Sequence, residues 1–461
     1  MNHHETGMLP IENRAAVSLA AIFASRMLGL FMIYPVFSIY ALGHLHGASP
    51  MSIGMAMGAY GLTQAMFQLP FGMLSDRVGR KPLIAAGLVL FAIGSVVAAL
   101  STSIEGVIIG RIVQGSGAVG STILALAADL TREQNRTRTM ATIGMTIGMS
   151  FALAVVVGPV LNNWIGVPGI FALTAVLAMG GLAILQFVVP TPVLSTVHRD
   201  TDAVPALFMR VLADGQLLRL DFGIMTLHMI LTASFIALPL ALRDVAGLQA
   251  AQQWQLYLPV LFFAVLLMVP FIILAEKHRH MKGVFLGAIG VLCASQFALM
   301  LWHHSTWSVA VTLTLFFAAF TLMEASLPSL ISKFAPAASK GTAMGVYSTS
   351  QFFGIFIGGG VGGWVFHHFA LGGVFAFTGL AAALWFLVAV GMPQPKFLSS
   401  QLLRLGDAGP ETVRVWAEQL AAVPGVAEVA MIPEEGVAYL KVDSQIVDLA
   451  AITAVTGSSQ T

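Results

Sequence analysis

The sequence predicts an all-α membrane protein with twelve transmembrane helices, followed by a small C-terminal α+β domain. The chain is 57% hydrophobic and only 9% charged, which is more apolar than a soluble core requires. Twelve apolar runs are each long enough to cross a bilayer, and cations are concentrated in alternate connections between them. The composition becomes more polar after residue 392, which indicates a separate unit there.

The apolar runs form two groups of six. Residues 1–190 and 219–392 are predicted to form two six-helix bundles, joined by a cytoplasmic linker at 191–218 and followed by a cytoplasmic domain at 393–461. The first run is too long for a cleaved signal peptide. The predicted spans are 15–41, 51–71, 83–101, 104–128, 139–161, 168–189, 219–242, 254–275, 283–302, 307–332, 342–366 and 372–391.

The distribution of cations predicts the orientation of the chain. With the N-terminus in the cytoplasm, all but three of the 22 lysines and arginines fall on the cytoplasmic side. The exceptions are Arg243, on the other side, and Arg26 and Arg111, within spans. This bias follows the positive-inside rule and predicts that both termini are cytoplasmic. The single cysteine, Cys293, excludes an intramolecular disulfide and a cysteine-based metal site.

The segment between spans 2 and 3 carries the most specific motif, in the order G-x-L-x-D-R-x-G-R-K. It is predicted to be a compact loop at the water interface, since lipid does not tolerate an exposed charged loop. Asp76 could reach from it to the N-terminus of another helix, where negative charge is favoured. The simpler alternative is a topogenic loop whose cations only hold it in the cytoplasm. The motif residues are Gly72, Asp76, Arg77, Gly79, Arg80 and Lys81.

This motif resembles the signature loop of the major facilitator superfamily. Stretches that begin at Asp129, Met323 and Gly341, together with the C-terminal domain, resemble bacterial YajR-type transporters over nearly the whole chain. The resemblance implies two six-helix halves that alternate access across the bacterial inner membrane. It also implies proton-driven export of drugs or other small molecules, with a C-terminal domain of unsettled purpose.

A cytoplasmic gate is expected around the signature motif. Asp129 ends span 4 at the same depth as the motif, which predicts a salt bridge with Arg80. Span 11 opens at Gly341, and its unpaired N-terminal amides make it the natural partner of Asp76. We expect this contact between the two halves to stabilise an outward-open form.

Polar residues inside the spans predict a substrate cavity. Tyr60, Gln64 and Gln68 are spaced by four residues and therefore share one helix face, which suits either a cavity wall or interhelical hydrogen bonds. Arg26 should face a wet cavity or a partner, unless it snorkels to the cytoplasmic surface. The predicted cavity residues are Arg26, Tyr34, Tyr60, Gln64, Gln68, Gln114 and Gln351.

Two further motifs resemble those of the superfamily. Arg111-x-x-Gln114-Gly in span 4 resembles a pattern whose arginine is implicated in proton coupling, although a buried structural pair would look the same. Gly148, Gly158 and Pro159 in span 5 resemble part of an antiporter motif, whose fuller versions continue with another glycine. The partial match favours export over symport, with a simple packing helix as the alternative.

Glu324 is the only acidic residue well inside any predicted span, and His228 lies inside span 7. A carboxyl group held away from water can take up and release a proton near neutral pH, and histidine titrates in that range. Glu324 and His228 are therefore the candidates for proton coupling, together with Arg111. The alternatives are a permanently neutral acid and a core histidine.

Residues 401–456 alternate in a pattern that predicts a ferredoxin-like βαββα unit. The unit has no cysteine pair, and it carries more acidic than basic residues, so neither copper transfer nor nucleic-acid binding is expected. It could bind a ligand, the cytoplasmic loops of its own transporter or another copy, or it could be a passive tail.

The sequence therefore predicts a proton-coupled antiporter that exports small amphipathic molecules by alternating access. The expected partners are the lipid bilayer, the small-molecule substrate and protons. No enzyme, metal or cofactor is expected beyond the coupling proton, since the sequence has no phosphate-binding loop and no nucleophile paired with a base. Two alternatives remain: a proton symporter for nutrient uptake, and a transporter-derived receptor that signals through the C-terminal domain.

Overall fold

The structure is a computed structural model that describes most of the chain. The described residues are 8–191, 205–302, 305–336, 339–395, 399–405, 410–432, 437–443 and 446–456. Residues 192–204 of the predicted linker at 191–218 lie outside these ranges, and its second half forms a short helix and the start of the next one.

Seven helices form the first bundle. Two of the predicted spans are broken: α1 and α2 are separated by a turn at Met32–Val36, and α5 and α6 are separated at Gly117–Val119. Two other spans are merged in α7, where Gly166 has a φ of 66° at the turn between them. The helices are α1 Pro10–Phe31, α2 Phe37–His44, α3 Pro50–Val78, α4 Arg80–Leu100, α5 Ile104–Ser116, α6 Gly120–Asp129 and α7 Glu133–Phe187.

The second bundle begins at α9, which Asp214 caps by accepting hydrogen bonds from the first amides of the helix. Its last helix again merges two spans, with a non-helical residue at Ala370. The elements are α8 Pro205–Leu212, α9 Gly215–Asp244, a 3-10 turn at Ala250–Gln252, α10 Trp254–Glu276, α11 Met281–Leu301, α12 Thr306–Phe334 and α13 Lys340–Val390.

The predicted twelve-helix membrane fold is confirmed. Nine stretches of helix in the described part of the chain are long and apolar enough to cross a membrane, and α7 and α13 each supply two spans. α3, with 29 residues, supplies the remaining span. We call the end of the bundles that carries the α3–α4, α10–α11 and α12–α13 connections the cation-rich end.

The signature segment is not the loop that its charges suggested. α3 remains helical through Val78, and the chain turns only at Gly79, where φ is 99°. Pro82 then lies in the first turn of α4, where its missing amide costs no hydrogen bond. Charges mark where α3 leaves the membrane, whereas the helix itself continues for two more turns until glycine ends it.

The two bundles meet along α3 and α13, away from the cation-rich end. A methyl group added to Gly54 would overlap the carbonyl oxygen of Gly359, and one added to Gly58 would lie 2.9 Å from the carbonyl oxygen of Phe356. Such close backbone approach requires that at least one of the two facing residues is glycine. The opposite end of the molecule is therefore closed by direct helix-to-helix contact.

The C-terminal domain has the predicted βαββα order. Its three strands form an antiparallel sheet in the order β1-β3-β2, so that β3 lies at the centre. Leu403, Leu440 and Ile452 belong to a separate small hydrophobic core between the sheet and the helices. The elements are β1 Ser399–Arg404, α14 Pro410–Ala421, β2 Val426–Ile432, β3 Val437–Val442 and α15 Leu449–Thr456.

Candidate functional site

Three helices of the second bundle bring a titratable pair together. His228 of α9 lies with its Nε2 atom 3.2 Å from Oε1 of Glu324 on α12. Gln351 of α13 lies 2.8 Å from the same histidine nitrogen through its Nε2 atom. The imidazole is buried, and 25% of the Glu324 side chain is accessible, although its Oε1 atom is buried. The structure thus places two of the three predicted proton-coupling residues in contact, whereas Arg111 lies in the first bundle.

The geometry allows one proton to be held in two ways. The Nδ1 atom of His228 lies 3.3 Å from the carbonyl oxygen of Ile224, which assigns a proton to Nδ1. A neutral imidazole then offers the Nε2 lone pair to the amide of Gln351 or to a protonated Glu324. A protonated imidazole instead donates from Nε2 to the Glu324 carboxylate.

The first bundle contains a buried network centred on Arg26. Its Nη2 atom donates to the carbonyl oxygen of Gly117 at 3.1 Å, to Oε1 of Gln64 at 3.3 Å and to the hydroxyl of Tyr60 at 3.4 Å. Gln64 in turn donates to Gln68 at 3.0 Å. Arg26 is only 1% exposed, so it does not snorkel to the surface. Tyr60 and Gln64 of α3 thus form interhelical hydrogen bonds within their own bundle.

Arg111 joins the same network from α5. Its guanidinium lies 4.7 Å from the ring centre of Tyr60, and its Nη1 atom donates to Gln114 at 3.0 Å. Gln114 donates to the hydroxyl of Ser95 on α4 at 2.7 Å. The predicted arginine–glutamine pair is therefore present. Gln114 lies inside the bundle, however, and not at a cavity, because its amide is turned towards α4.

The arginines retain unused hydrogen-bonding capacity. Among the described residues, Nε and Nη1 of Arg26 and Nη2 of Arg111 are buried without a hydrogen-bond partner. Both guanidinium groups contact Tyr60, which is fully buried. The first bundle thus holds concentrated, fixed positive charge close to the middle of its helices.

Aromatic rings fill the space between the bundles near His228. Phe320 of α12 lies 6.0 Å from the His228 ring and 5.5 Å from Phe151 of α7, measured between ring centres. Tyr34, another predicted cavity residue, packs its buried ring edge-on against Phe235 of α9 at 5.6 Å. These contacts join the two bundles and form an apolar wall beside the titratable pair.

The predicted salt bridge at the cation-rich end is present. Nε of Arg80 lies 3.2 Å from Oδ2 of Asp129, and its Nη1 atom lies 2.5 Å from Oδ1 of Asp76. Nη1 also donates to the hydroxyl of Ser75 at 2.7 Å. The arginine is 3% exposed and joins the ends of α3, α4 and α6. Its guanidinium thus holds the carboxylate of Asp76 in a defined position.

Asp76 and Gly341 face one small cavity between the bundles. The cavity has a volume of about 50 Å³ and brings the end of α3 next to the first turn of α13. The hydrogen bond that the structure shows for Asp76 comes from Arg80 and not from an α13 amide. The lining residues are Gln68, Leu69, Gly72, Asp76, Arg80, Ser121, Leu124, Ala125, Gly341, Met344, Gly345 and Ser348.

The remaining motif residues have separate placements. Lys81 donates to the carbonyl oxygen of Val189 at 2.8 Å, near the end of α7, whereas Arg77 is exposed. In α7, Gly158 packs against the backbone of Met32, next to Pro159. A methyl group at Gly148 would meet nothing within 4 Å, so the expected close packing is confined to the Gly158 end of the motif.

Sequence reasoning missed two buried acids. Asp221 is 5% exposed, and both of its carboxylate oxygens lack a hydrogen-bond partner among the described residues. The predicted span 7 begins at Arg219, which puts Asp221 at the edge of the membrane. In the structure α9 already begins at Gly215, so Asp221 lies further inside the helix. Glu12 accepts hydrogen bonds from the backbone and side chain of Arg132 at 2.8 and 2.9 Å. The sequence alone gives no signal for the pairing of Glu12 with Arg132.

Known transporters resemble the chain over nearly its whole length. A model of the Major Facilitator Superfamily matches residues 19–359 and 220–421, and a model of the YajR YAM domain matches residues 411–456. The inner membrane transport protein YajR of Escherichia coli (strain K12) is 48% identical over 443 residues, which cover 95% of this chain and 96% of that protein.

More distant relatives share the transporter fold. Multidrug resistance protein MdtH of Proteus mirabilis (strain HI4320) is 24% identical over 352 residues, or 74% of this chain and 84% of that protein. A bacterial homologue of the human lysosomal transporter Spinster, in an inward-facing and occupied crystal structure, superimposes with a TM-score of 0.67 at 14% identity. That match covers 84% of this chain and 98% of the other.

Proposed function

Because the chain belongs to the major facilitator superfamily, as a multi-pass inner-membrane transporter of the YajR type, we propose that it is a proton-coupled antiporter. In this proposal it exports small amphipathic molecules by alternating access. The observation that carries the proposal is the contact between His228 and Glu324 within the second bundle. This family consists of membrane transporters and not of enzymes.

The pair changes charge when it binds a proton. Glutamate with neutral histidine carries a single negative charge, and the same pair with one added proton is neutral in either arrangement. Burying an uncompensated charge is costly, so protonation changes the relative free energies of the two conformations. A shift of a few kcal/mol, about 5 at most, is enough to reverse which conformation is populated.

The cation-rich end is proposed as the cytoplasmic gate. The Arg80 contacts hold Asp76 beside the first turn of α13, whose unpaired amides favour a negative charge. Such a contact contributes roughly 1–2 kcal/mol when partly buried. A gate of that strength can open when protonation of the His228–Glu324 pair shifts the balance between the two conformations.

The walls beside the titratable pair support an amphipathic substrate. Phe151, Phe320 and Tyr34 are buried where the two bundles meet, and separation of the bundles would expose their rings. Aromatic surfaces of this kind accommodate apolar groups of varied shape, with a few polar groups fixing orientation. The name of the relative MdtH, a multidrug resistance protein, supports export of such compounds.

The proposal can be tested in proteoliposomes that contain a pH-sensitive dye. An outward-directed substrate gradient should drive protons in the opposite direction to the substrate, and Glu324→Gln should abolish this coupled movement. Proton movement in the same direction as the substrate would instead identify a symporter. Substrate binding without any flux would identify a receptor and would overturn the proposal.

A further inference from the structure

Lys441 is a buried charge in the C-terminal domain that the transport cycle does not explain. It lies in β3 and is 4% exposed. Its ammonium group donates to the backbone carbonyl oxygen of Lys333 at 3.0 Å and also to that of Ala335. Both carbonyls belong to the end of α12, where unpaired oxygens and the helix dipole favour a positive charge.

A second charged contact lies two residues away. Asp443 accepts a hydrogen bond from Nη2 of Arg279 at 3.1 Å, in the connection between α10 and α11. The end of β3 is therefore joined to two connections of the second bundle at once. Both contacts involve a charged donor, which makes them stronger than neutral hydrogen bonds.

The burial of Lys441 is specific to this docked arrangement. Burial lowers the pKa of the ammonium group, and the carboxylate of Glu428, 3.9 Å away, acts in the opposite direction. A buried ammonium group is unfavourable unless hydrogen bonds replace its lost water. The two α12 carbonyls supply those bonds, and they would be absent if the domain were separated from the bundle.

The segment held by Lys441 leads directly into the proposed gate. Ala335 is the C-terminal cap of α12, and the connection that follows ends at Ser339, the residue before α13. Ser339 is 2% exposed, and Gly341 lines the cavity that Asp76 also faces. The amide of Ser339 donates to the carbonyl oxygen of Pro336 at 3.0 Å, which links the segment held by Lys441 to the first turn of α13.

We infer that the C-terminal domain is an intramolecular ligand of the second bundle, docked through Lys441 and Asp443, which holds the first turn of α13 in position for the gate. Both contacts fall on the second bundle, so we expect the domain to move with that bundle. Of the possible roles of the domain, binding the loops of its own transporter is the one that these contacts favour.

Amide hydrogen exchange on the full chain in lipid nanodiscs tests this inference without any transport substrate. Lys441→Met introduces an unbranched side chain one atom shorter and without donors, so exchange at residues 344–348, whose amides are paired within α13, should become about tenfold faster. Lys441→Arg should retain part of the protection. Glu418→Gln, at an exposed position on α14, is the matched control and should leave exchange unchanged. Unchanged exchange in Lys441→Met would overturn the inference.

Exchange in α14 shows whether the domain stays folded. If Lys441→Met also accelerates exchange in α14, the domain itself is destabilised and Arg279→Ala becomes the deciding variant. This substitution alters only the transporter side of the second contact. Faster exchange at residues 344–348 in Arg279→Ala would support the docked arrangement. Unchanged exchange in that variant would contradict it.

Discussion

Apart from the ion pairs at the ends of their helices, the two six-helix bundles bury charges of opposite sign. The first bundle holds Arg26 and Arg111 against Tyr60, and the second holds Glu324 beside His228 together with the isolated Asp221. A guanidinium remains charged at any physiological pH, whereas carboxyl and imidazole groups gain and lose protons. The comparison indicates that the first bundle supplies a constant electric field and that the second supplies the charge that changes.

The largest effect should come from removing the variable charge. Glu324→Gln mimics the protonated state permanently, so proton-coupled flux should fall about a hundredfold, as expected when a proton-transferring group is lost. Flux is measured in proteoliposomes under an imposed pH gradient. Asp221→Asn is the matched comparison, since it neutralises another buried acid of the same bundle. Equal losses of flux in both variants would show that the His228–Glu324 pair has no specific role in proton coupling.

A smaller effect is expected when the fixed charge is altered. Arg111→Gln removes a buried cation that the aromatic face of Tyr60 and the side chain of Gln114 stabilise, and it should reduce flux about tenfold. Arg111→Lys keeps the charge but not the forked donor geometry, so its loss should be smaller, about threefold. If both variants lose the same activity, hydrogen-bond geometry and not charge is the property that matters.

The smallest of the three effects concerns the gate, which serves both bundles equally. Arg80→Ala removes the buried contacts that position Asp76, which should reduce flux about fivefold, the equivalent of the roughly 1 kcal/mol that the contact of Asp76 with the α13 terminus is proposed to contribute. A cysteine at Ser348, in a Cys293→Ser background, should then react faster with a polar thiol reagent. Arg77→Ala provides the control, since Arg77 is exposed. Faster labelling in the control as well would rule out a specific role for Arg80.

The sequence predicted contacts best where a motif placed both partners at one depth of the membrane. Arg80 and Asp129 each lie just beyond an apolar run, so their pairing could be anticipated. The direction of a helix face was harder to predict. Tyr60 and Gln64 share a face as expected, but whether that face meets its own bundle or the other one depends on how the helices pack.

Other features left no readable signal. The end of α3 was misjudged because charged residues indicate where a helix meets water and not where its hydrogen bonding stops. Lys441 was missed because its partners are backbone carbonyl oxygens. Every residue carries such an oxygen, so the sequence does not mark the ones that are bound. Asp221 was missed because its depth depends on where α9 begins, and helix boundaries are hard to place from sequence.

The glycine contact between α3 and α13 makes the conformational equilibrium sensitive to very small side chains. Gly54 and Gly58 meet Gly359 with backbone against backbone, so one added methyl group would act as a wedge between the bundles. Alanine at these positions would penalise only the conformation in which the helices touch and leave the opposite one unaffected. A single carbon atom could therefore trap the transporter with this end open, which would give structural studies access to a conformation other than the one described here.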